Sequence, residues 1–287
     1  MDKPLVSVLM TAYNRENYIA ESIESVLSSS LKDLELIIVD DGSTDNTVPI
    51  ARKYAALDSR VRLYINEVNL GDYPNRNKAA SYATGKYLKY VDSDDMVYPY
   101  GLEVFAAAME KFPDAALGIS SKNCVPLQPF PHYLTPKEAY HKHFFEYGFL
   151  DFGPTGVIIR RQYFEQYGGF SGKRYIGDQE LWLKLAARHP VLELASALIF
   201  WRQHEGQEYK LGLEGIDRGY FMMNLPLLRD TFNDAACPLT SEQKNSILKI
   251  REKEYVRALI KHVIKTGELT KARTAFNSLK LSLTDAF

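Results

Sequence analysis

Over the first hundred residues, apolar and polar positions fall into blocks of two lengths. Residues 5–10 and 34–39 are nearly continuous apolar runs, the pattern of strands buried on both faces of a parallel sheet. Residues 61–65 alternate as a third strand, and 86–91, rich in Tyr, Leu and Val, form a fourth. Between them, residues 16–29 carry Ile19, Ile23, Val26 and Leu27 at helical spacing. Residues 46–57 and 76–84 read as two further helices. Ser43 or Thr44 is the candidate N-cap of the first, and Gly85 the candidate C-cap of the second.

Strand–helix alternation with short connections predicts an α/β fold with a doubly wound, mostly parallel sheet. Right-handed crossovers place the carboxyl ends of such strands on one edge, where ligands bind. Three polar turns fall there: residues 11–15, 40–45 and 92–95.

Further along, a helix is expected over 99–112 with Pro99 in its first turn, then a strand over 115–120. Four prolines make 123–136 an irregular loop and a candidate lid. A helix over 138–147, a strand over 157–160 and a short helix over 161–167 closed by Gly168-Gly169 follow. A helix over 179–188 and strands at 192–194 and 198–201 complete the sheet. From residue 211 the pattern is helical and strand-poor, a C-terminal helical appendage.

The 287 residues are 46% hydrophobic and 25% charged with a net charge of −1, which fits an ordinary globular protein and argues against bulk nucleic-acid binding. Cys124 and Cys237 stand far apart and form neither a disulfide framework nor a zinc pattern. Residues 5–12 are too short for a signal-peptide core, and no run reaches the roughly 18 apolar residues that span a bilayer, so a cytoplasmic protein is expected.

The fourth strand ends in Asp92-Ser93-Asp94-Asp95. Three carboxylates in four residues repel one another unless solvated or gathered around a cation, and Mg²⁺ or Mn²⁺ prefers such oxygen ligands. Alone the stretch is a solvated turn; set beside two other polar turns on one edge it becomes a candidate metal site.

The motifs resemble glycosyltransferase family 2, the inverting enzymes of GT-A fold. They run in family order from about residue 4 to 205: residues 6–14, Asp40-Asp41-Gly42-Ser43-Thr44-Asp45, Asn69-Leu70-Gly71 with Arg76-Asn77, Asp92-Ser93-Asp94-Asp95, Gly168-Gly169-Phe170, and Gly177-Asp178-Gln179-Glu180-Leu181-Trp182. The resemblance implies a catalytic unit over 1–210, with a nucleotide-binding half at about 1–96 and an acceptor half at about 97–210. Residues 211–287 lie beyond it.

By that resemblance, Thr11, Tyr13 and Arg15 hold the nucleotide, and Asp41, with Asp40 as the alternative, accepts from uracil N3–H. This favours a UDP-sugar donor and leaves dTDP-sugars open. Arg76 and Asn77 would sit at the nucleotide or donor sugar, Asp92 and Ser93 on ribose or sugar. Asp94, Asp95 and His204 would serve a Mn²⁺ or Mg²⁺ ion, the division of labour among the carboxylates being open. Asp178 would be the general base and Glu180 part of the sugar or acceptor wall, while Trp182 reads as core. A saccharide or lipid-linked saccharide acceptor in cell-surface polysaccharide synthesis is expected, with possible peripheral contact of the tail's Lys and Arg with anionic lipid at the inner membrane surface.

Rival classes fit less well. A sugar nucleotidyltransferase needs a Gly-rich first loop where Thr11-Ala12-Tyr13-Asn14-Arg15 stands, and a dehydrogenase needs the absent G-x-G-x-x-G. A non-catalytic binding module has no need of Asp92, Asp94 and Asp178 together.

Overall fold

The computed structural model describes residues 3–120, 129–205 and 207–282. Its elements are β1 (Val6–Ala12), α1 (Ile19–Leu27), β2 (Leu34–Asp40), α2 (Thr47–Leu57), β3 (Val61–Ile65), α3 (Asp72–Ser81), β4 (Tyr87–Tyr90), β5 (Met96–Val97) and α4 (Gly101–Lys111). Next come β6 (Leu117–Ser120), β7 (His132–Leu134), α5 (Pro136–His141), β8 (Val157–Arg160), α6 (Arg161–Gln166), α7 (Gly177–Ala186), β9 (Val191–Leu194) and β10 (Ile199–Phe200). Four helices close the chain: α8 (Glu208–Gly212), α9 (Gly219–Asn233), α10 (Ser241–Thr266) and α11 (Leu269–Ser278).

The main sheet runs β3-β2-β1-β4-β8-β6-β9-β7. β3, β2, β1 and β4 are mutually parallel, β8 runs antiparallel between β4 and β6, and β7 is an antiparallel edge. The continuous apolar runs are explained by two cores. Val6, Val8 and Met10 face one with Leu36 and Ile38; Leu9 faces the other with Ile37, Val39 and Leu88. Successive strand residues point to opposite faces, so a strand covered on both sides has no polar face to show.

Three expectations shift. The third helix begins at Asp72, four residues before the expected start, and ends at Ser81 with Tyr82 as C-cap. Its inward face carries Asn75 and Arg76, so apolar periodicity does not mark it. Gly85 is therefore no C-cap. A Cβ there would lie 2.6 Å from the Ser7 nitrogen, so glycine is needed for close approach to β1. The second helix is capped by neither Ser43 nor Thr44; Asp45 accepts from the Thr47 N–H at 2.9 Å instead. Of the expected lid, residues 123–128 lie outside the described residues, and its remainder includes β7, paired on β9.

α9, α10 and α11 share a small core of Leu225, Val256, Leu259, Ala272 and Ala275. The 26-residue α10 opens on a Thr240–Gln243 capping box and closes on Gly267 in the left-handed region, devices each worth about 1 kcal/mol. No helix among the described residues is long and apolar enough to cross a membrane.

Candidate active site

A cleft of about 1230 Å³ opens at the carboxyl edge of β1, β2 and β4. The three polar turns reach it: Thr11 stands at the end of β1 with Tyr13 and Arg15 following, Asp41 follows β2, and residues 92–95 follow β4. The parallel register alone brings them together, since Ala12 pairs with Asp40 and Leu9 with Tyr90. Ser93 ties the edge shut: its hydroxyl donates to the Thr11 carbonyl at 2.8 Å.

Each carboxylate of the acid cluster is handled differently. Asp92 accepts from Arg76 Nη1 at 2.6 Å, and Arg76 also holds Asp72 through Nε at 2.7 Å. Asp94 Oδ2 lies 3.0 Å from both Arg15 Nε and His204 Nε2. Asp95 has no cationic side chain bonded to it among the described residues. It accepts from the Arg202 N–H at 3.0 Å and from the Thr155 hydroxyl. Burial, then the charges of Asp92 and Asp94, push its carboxyl well above the carboxylate range. Behind the cluster, the buried Lys89 amine donates to the carbonyls of Tyr90 and Thr155, and burial pushes it down to about 7.

The cluster suits a hard divalent cation. Asp92, Asp94 and Asp95 each offer an oxygen, all within 4.8 Å of one another. Asp95, raised first by burial and then by the charges of Asp92 and Asp94, would regain its ionised form beside such a cation. His204 stands next to Asp94 alone, braced by stacking on Tyr18 at 4.6 Å. Its position comes from tertiary structure. β10 pairs antiparallel with β5, directly after the acid cluster, and carries residues 201–205 to it.

Across the cleft, Asp178 sits at the start of α7. Its Oδ1 accepts from the Tyr73 hydroxyl at 2.9 Å and from the Gln179 N–H at 2.8 Å. Both bonds fall on Oδ1; Oδ2 accepts none from the described residues. Burial pushes this carboxyl up to about 6, against the pull of those two donors and of Arg76. Gly177 makes room for Tyr73, not for substrate: a Cβ there would sit 2.9 Å from the Tyr73 ring.

Several expected residues have other duties. Asp40 closes its own turn, accepting from the Gly42 and Ser43 N–H groups at 3.0 and 2.8 Å. Asp41 faces the cleft but first shapes it. Oδ1 accepts from Asn66 Nδ2 and the Leu70 N–H, and Oδ2 from the Gly71 N–H, at 2.7, 2.9 and 2.9 Å. Oδ2 keeps one acceptor direction. Arg76 lies inside α3 and is buried between two carboxylates. Asn77 is corrected: one position further round the helix turns it about 100° away. There its amide clasps the Phe170 carbonyl and N–H at 2.8 and 3.0 Å. Glu180 is corrected too. It pairs with Ser171 and Lys173 and lines a separate cavity of about 220 Å³ between α7 and α9. Trp182 is core, fully buried, with Nε1 on the Phe152 carbonyl at 2.8 Å.

Sequence reasoning missed Asp72, Tyr73, Lys89, Thr155 and Arg202. Only Asp72 and Tyr73 left a trace, adjoining the polar turn at 69–71; the others acquire their place through contacts distant in sequence.

The family model for Glycosyl transferase family 2 matches residues 7–168. Over 109 residues the chain is 47% identical to "Putative glycosyltransferase EpsE" of Bacillus subtilis (strain 168), covering 38% of this chain and 39% of that one. Over 111 residues it is 40% identical to the Escherichia coli protein named UDP-Glc:alpha-D-GlcNAc-diphosphoundecaprenol beta-1,3-glucosyltransferase WfgD, covering 39% of this chain and 43% of that one. The match thus spans about two fifths of the length of these relatives. The fold is similar to that of S. aureus TarS 1–349, whose crystal structure is in complex with UDP-GlcNAc. The TM-score is 0.73 at 20% identity, over 96% of this chain and 80% of that one.

Proposed function

Because the chain belongs to glycosyl transferase family 2 and has a GT-A fold, we propose that it moves a sugar from a nucleotide sugar to a hydroxyl of a saccharide or lipid-linked saccharide acceptor. One observation carries this reading. A three-carboxylate cluster and a separate raised carboxyl, Asp178, line the same cleft at the carboxyl edge of the sheet. The first suits a diphosphate with its cation, the second a base.

The donor is a UDP-sugar. Asp41 Oδ2 offers its remaining acceptor direction to a base N3–H, and Tyr13, half-exposed at the rim, offers a ring for stacking. Asp94 and Asp95, with His204 adjoining, would hold Mn²⁺ or Mg²⁺, which would supply a Lewis acid for the departing diphosphate. Asp178 Oδ2 takes the proton of the acceptor hydroxyl as that oxygen attacks the anomeric carbon and the bond to the diphosphate breaks. A carboxyl near 6 is mostly ionised at pH 7 yet basic enough to accept a proton. Tyr73 fixes the other oxygen and so aims this one. A single in-line displacement inverts the anomeric centre. UDP release from UDP-sugars with Mn²⁺, compared in wild type, Asp178→Asn and Asp94→Ala, tests this; full activity in both variants sinks it.

The enzyme works in the cytoplasm, in contact with the membrane surface. The solvent face of α10 carries Lys249, Arg257, Lys261 and Lys265 among the exposed Ile250, Ile260 and Ile264, the last 81% exposed. Basic charge beside bare aliphatic side chains complements an anionic lipid surface. Sedimentation with phosphatidylglycerol vesicles, but not with phosphatidylcholine vesicles, is expected, weakened by Ile260→Ser with Ile264→Ser. Equal sedimentation with both kinds of vesicle overturns this contact.

A further inference from the structure

The cleft has a wall that the nucleotide and the acid cluster do not use. Trp201 follows β10, Tyr209 lies on α8, Tyr220 on α9, and Tyr175 three residues before Asp178; all four line the cleft. Their rings form a ladder. Trp201 and Tyr209 are 5.5 Å apart, Tyr209 and Tyr220 5.8 Å, and Tyr220 and Tyr175 5.5 Å. The ladder is fixed at both ends. Trp201 adjoins Arg202, whose N–H is on Asp95, and Tyr175 leads directly into the turn of Asp178.

Two features mark this wall as more than packing. Trp201 is 46% and Tyr209 47% exposed, whereas the other tryptophan, Trp182, is fully buried. Large apolar rings left bare in a concave site forgo the gain of burial, which a ligand face can restore. Tyr175 also holds φ +70, a conformation that non-glycine residues rarely adopt, with its ring packed on Tyr220. Gly212 permits the same contact, since a Cβ there would lie 2.4 Å from the Tyr220 ring and 2.9 Å from that of Tyr175.

The ligand follows from position. An acceptor hydroxyl has to reach Asp178 Oδ2, so the molecule that bears it rests on the surface beside Asp178 and away from Asp41. A pyranose presents a face of C–H groups with weak positive charge, which the negative face of an aromatic ring attracts, and a rim of hydroxyls. The Arg174–Glu208 ion pair and Asn224 border the ladder and meet such a rim. We propose that Trp201, Tyr209, Tyr220 and Tyr175 form the acceptor subsite, an aromatic wall that takes the C–H face of a pyranose ring of the saccharide acceptor. The proposal rests on the glycosyl-transfer reading and adds the place and chemistry of acceptor recognition.

Trp201 is its own probe, because the only other tryptophan is buried. The full-length protein with Mn²⁺ and UDP is titrated with the methyl pyranosides of glucose, galactose, mannose and N-acetylglucosamine and with their β-linked disaccharides. At least one is expected to quench tryptophan emission saturably. Tyr209→Ala is expected to weaken that response about tenfold, and Tyr209→Phe less than twofold, because the ring and not its hydroxyl makes the contact. UDP affinity, measured by calorimetry, is expected to be the same in all three proteins, which also reports that each is folded. UDP binding with no response to any saccharide overturns the wall alone. A Tyr209→Ala protein that loses UDP-sugar affinity and keeps its saccharide response assigns the ladder to the donor and overturns the proposal. A wild type that binds no UDP overturns the glycosyl-transfer reading itself, and the wall with it.

Discussion

On the side of the cleft proposed for the nucleotide, the side chains stand at the carboxyl ends of three adjacent parallel strands: Thr11 at the end of β1, Asp41 after β2, Asp92 to Asp95 after β4. On the side proposed for the acceptor, Asp178 comes from a helix start, Trp201 follows a strand outside the main sheet, and Tyr209 and Tyr220 come from α8 and α9. The first side is positioned by backbone pairing, which is repetitive and fixed by register. The second is positioned by side-chain packing among elements far apart in the chain. A side built on sheet register tolerates little change, while one built on packed loops and helices can be rebuilt without disturbing the sheet.

This contrast can be broken most sharply at its two chemical centres. Asp178→Asn removes the proposed base and keeps the shape, so transfer is expected to fall by about 10² to 10⁴ while calorimetric UDP affinity stays at wild type. Lost UDP binding would mean that the two sides are not independent. Asp94→Ala is expected to act from the opposite side. It should remove the activation by Mn²⁺, read as the ratio of rates with metal and with chelator, and leave saccharide quenching of Trp201 intact.

Arg76 tests whether the nucleotide side is as rigid as its register implies. It is buried, bonded to Asp72 and to Asp92. Arg76→Ala leaves two carboxylates facing each other without a counter-charge, at a cost of about 3 to 5 kcal/mol. Denaturant unfolding should show a lower midpoint, and a midpoint unchanged from wild type would mean that the loop rearranges freely.

The smallest effect joins the two sides. Asp178 has its carboxyl raised to about 6, so transfer is expected to fall as pH drops through 6 and the base becomes protonated. Tyr73, on α3 of the nucleotide side, donates to it and favours the ionised form. Tyr73→Phe removes that donor, the carboxyl rises further, and the acid limb of the pH–rate profile moves to higher pH. A limb that moves the other way, or does not move, breaks the assignment of Asp178 as the titrating base.

Element type was legible almost throughout, and the reason is visible in β1 and β2: strands buried on both faces admit few polar residues, and helices between them carry apolar stripes. α3 was placed four residues late because its inner face is Asn75 and Arg76, which periodicity counts as solvent. Of the site, Thr11, Asp41 and Asp92 to Asp95 could be read from their position at strand ends. Asn77 and Glu180 could not be separated from their neighbours Arg76 and Asp178 by sequence, because a one- or two-residue step on a helix swings a side chain by 100° or 200°.

Periodic apolar runs and polar strand ends therefore determined by themselves the doubly wound sheet, the edge that carries the candidate site, and the acid cluster on it. Those features depend on local backbone periodicity, which a linear sequence records. Only the tertiary structure decided that β10 pairs with β5 to bring His204 and Arg202 to the cluster, that Tyr73 bonds Asp178, and that α8 and α9 turn Tyr209 and Tyr220 into the cleft. Those contacts join residues tens to more than a hundred positions apart. What sets them is the shape left when two cores are closed, which no stretch of the chain carries alone.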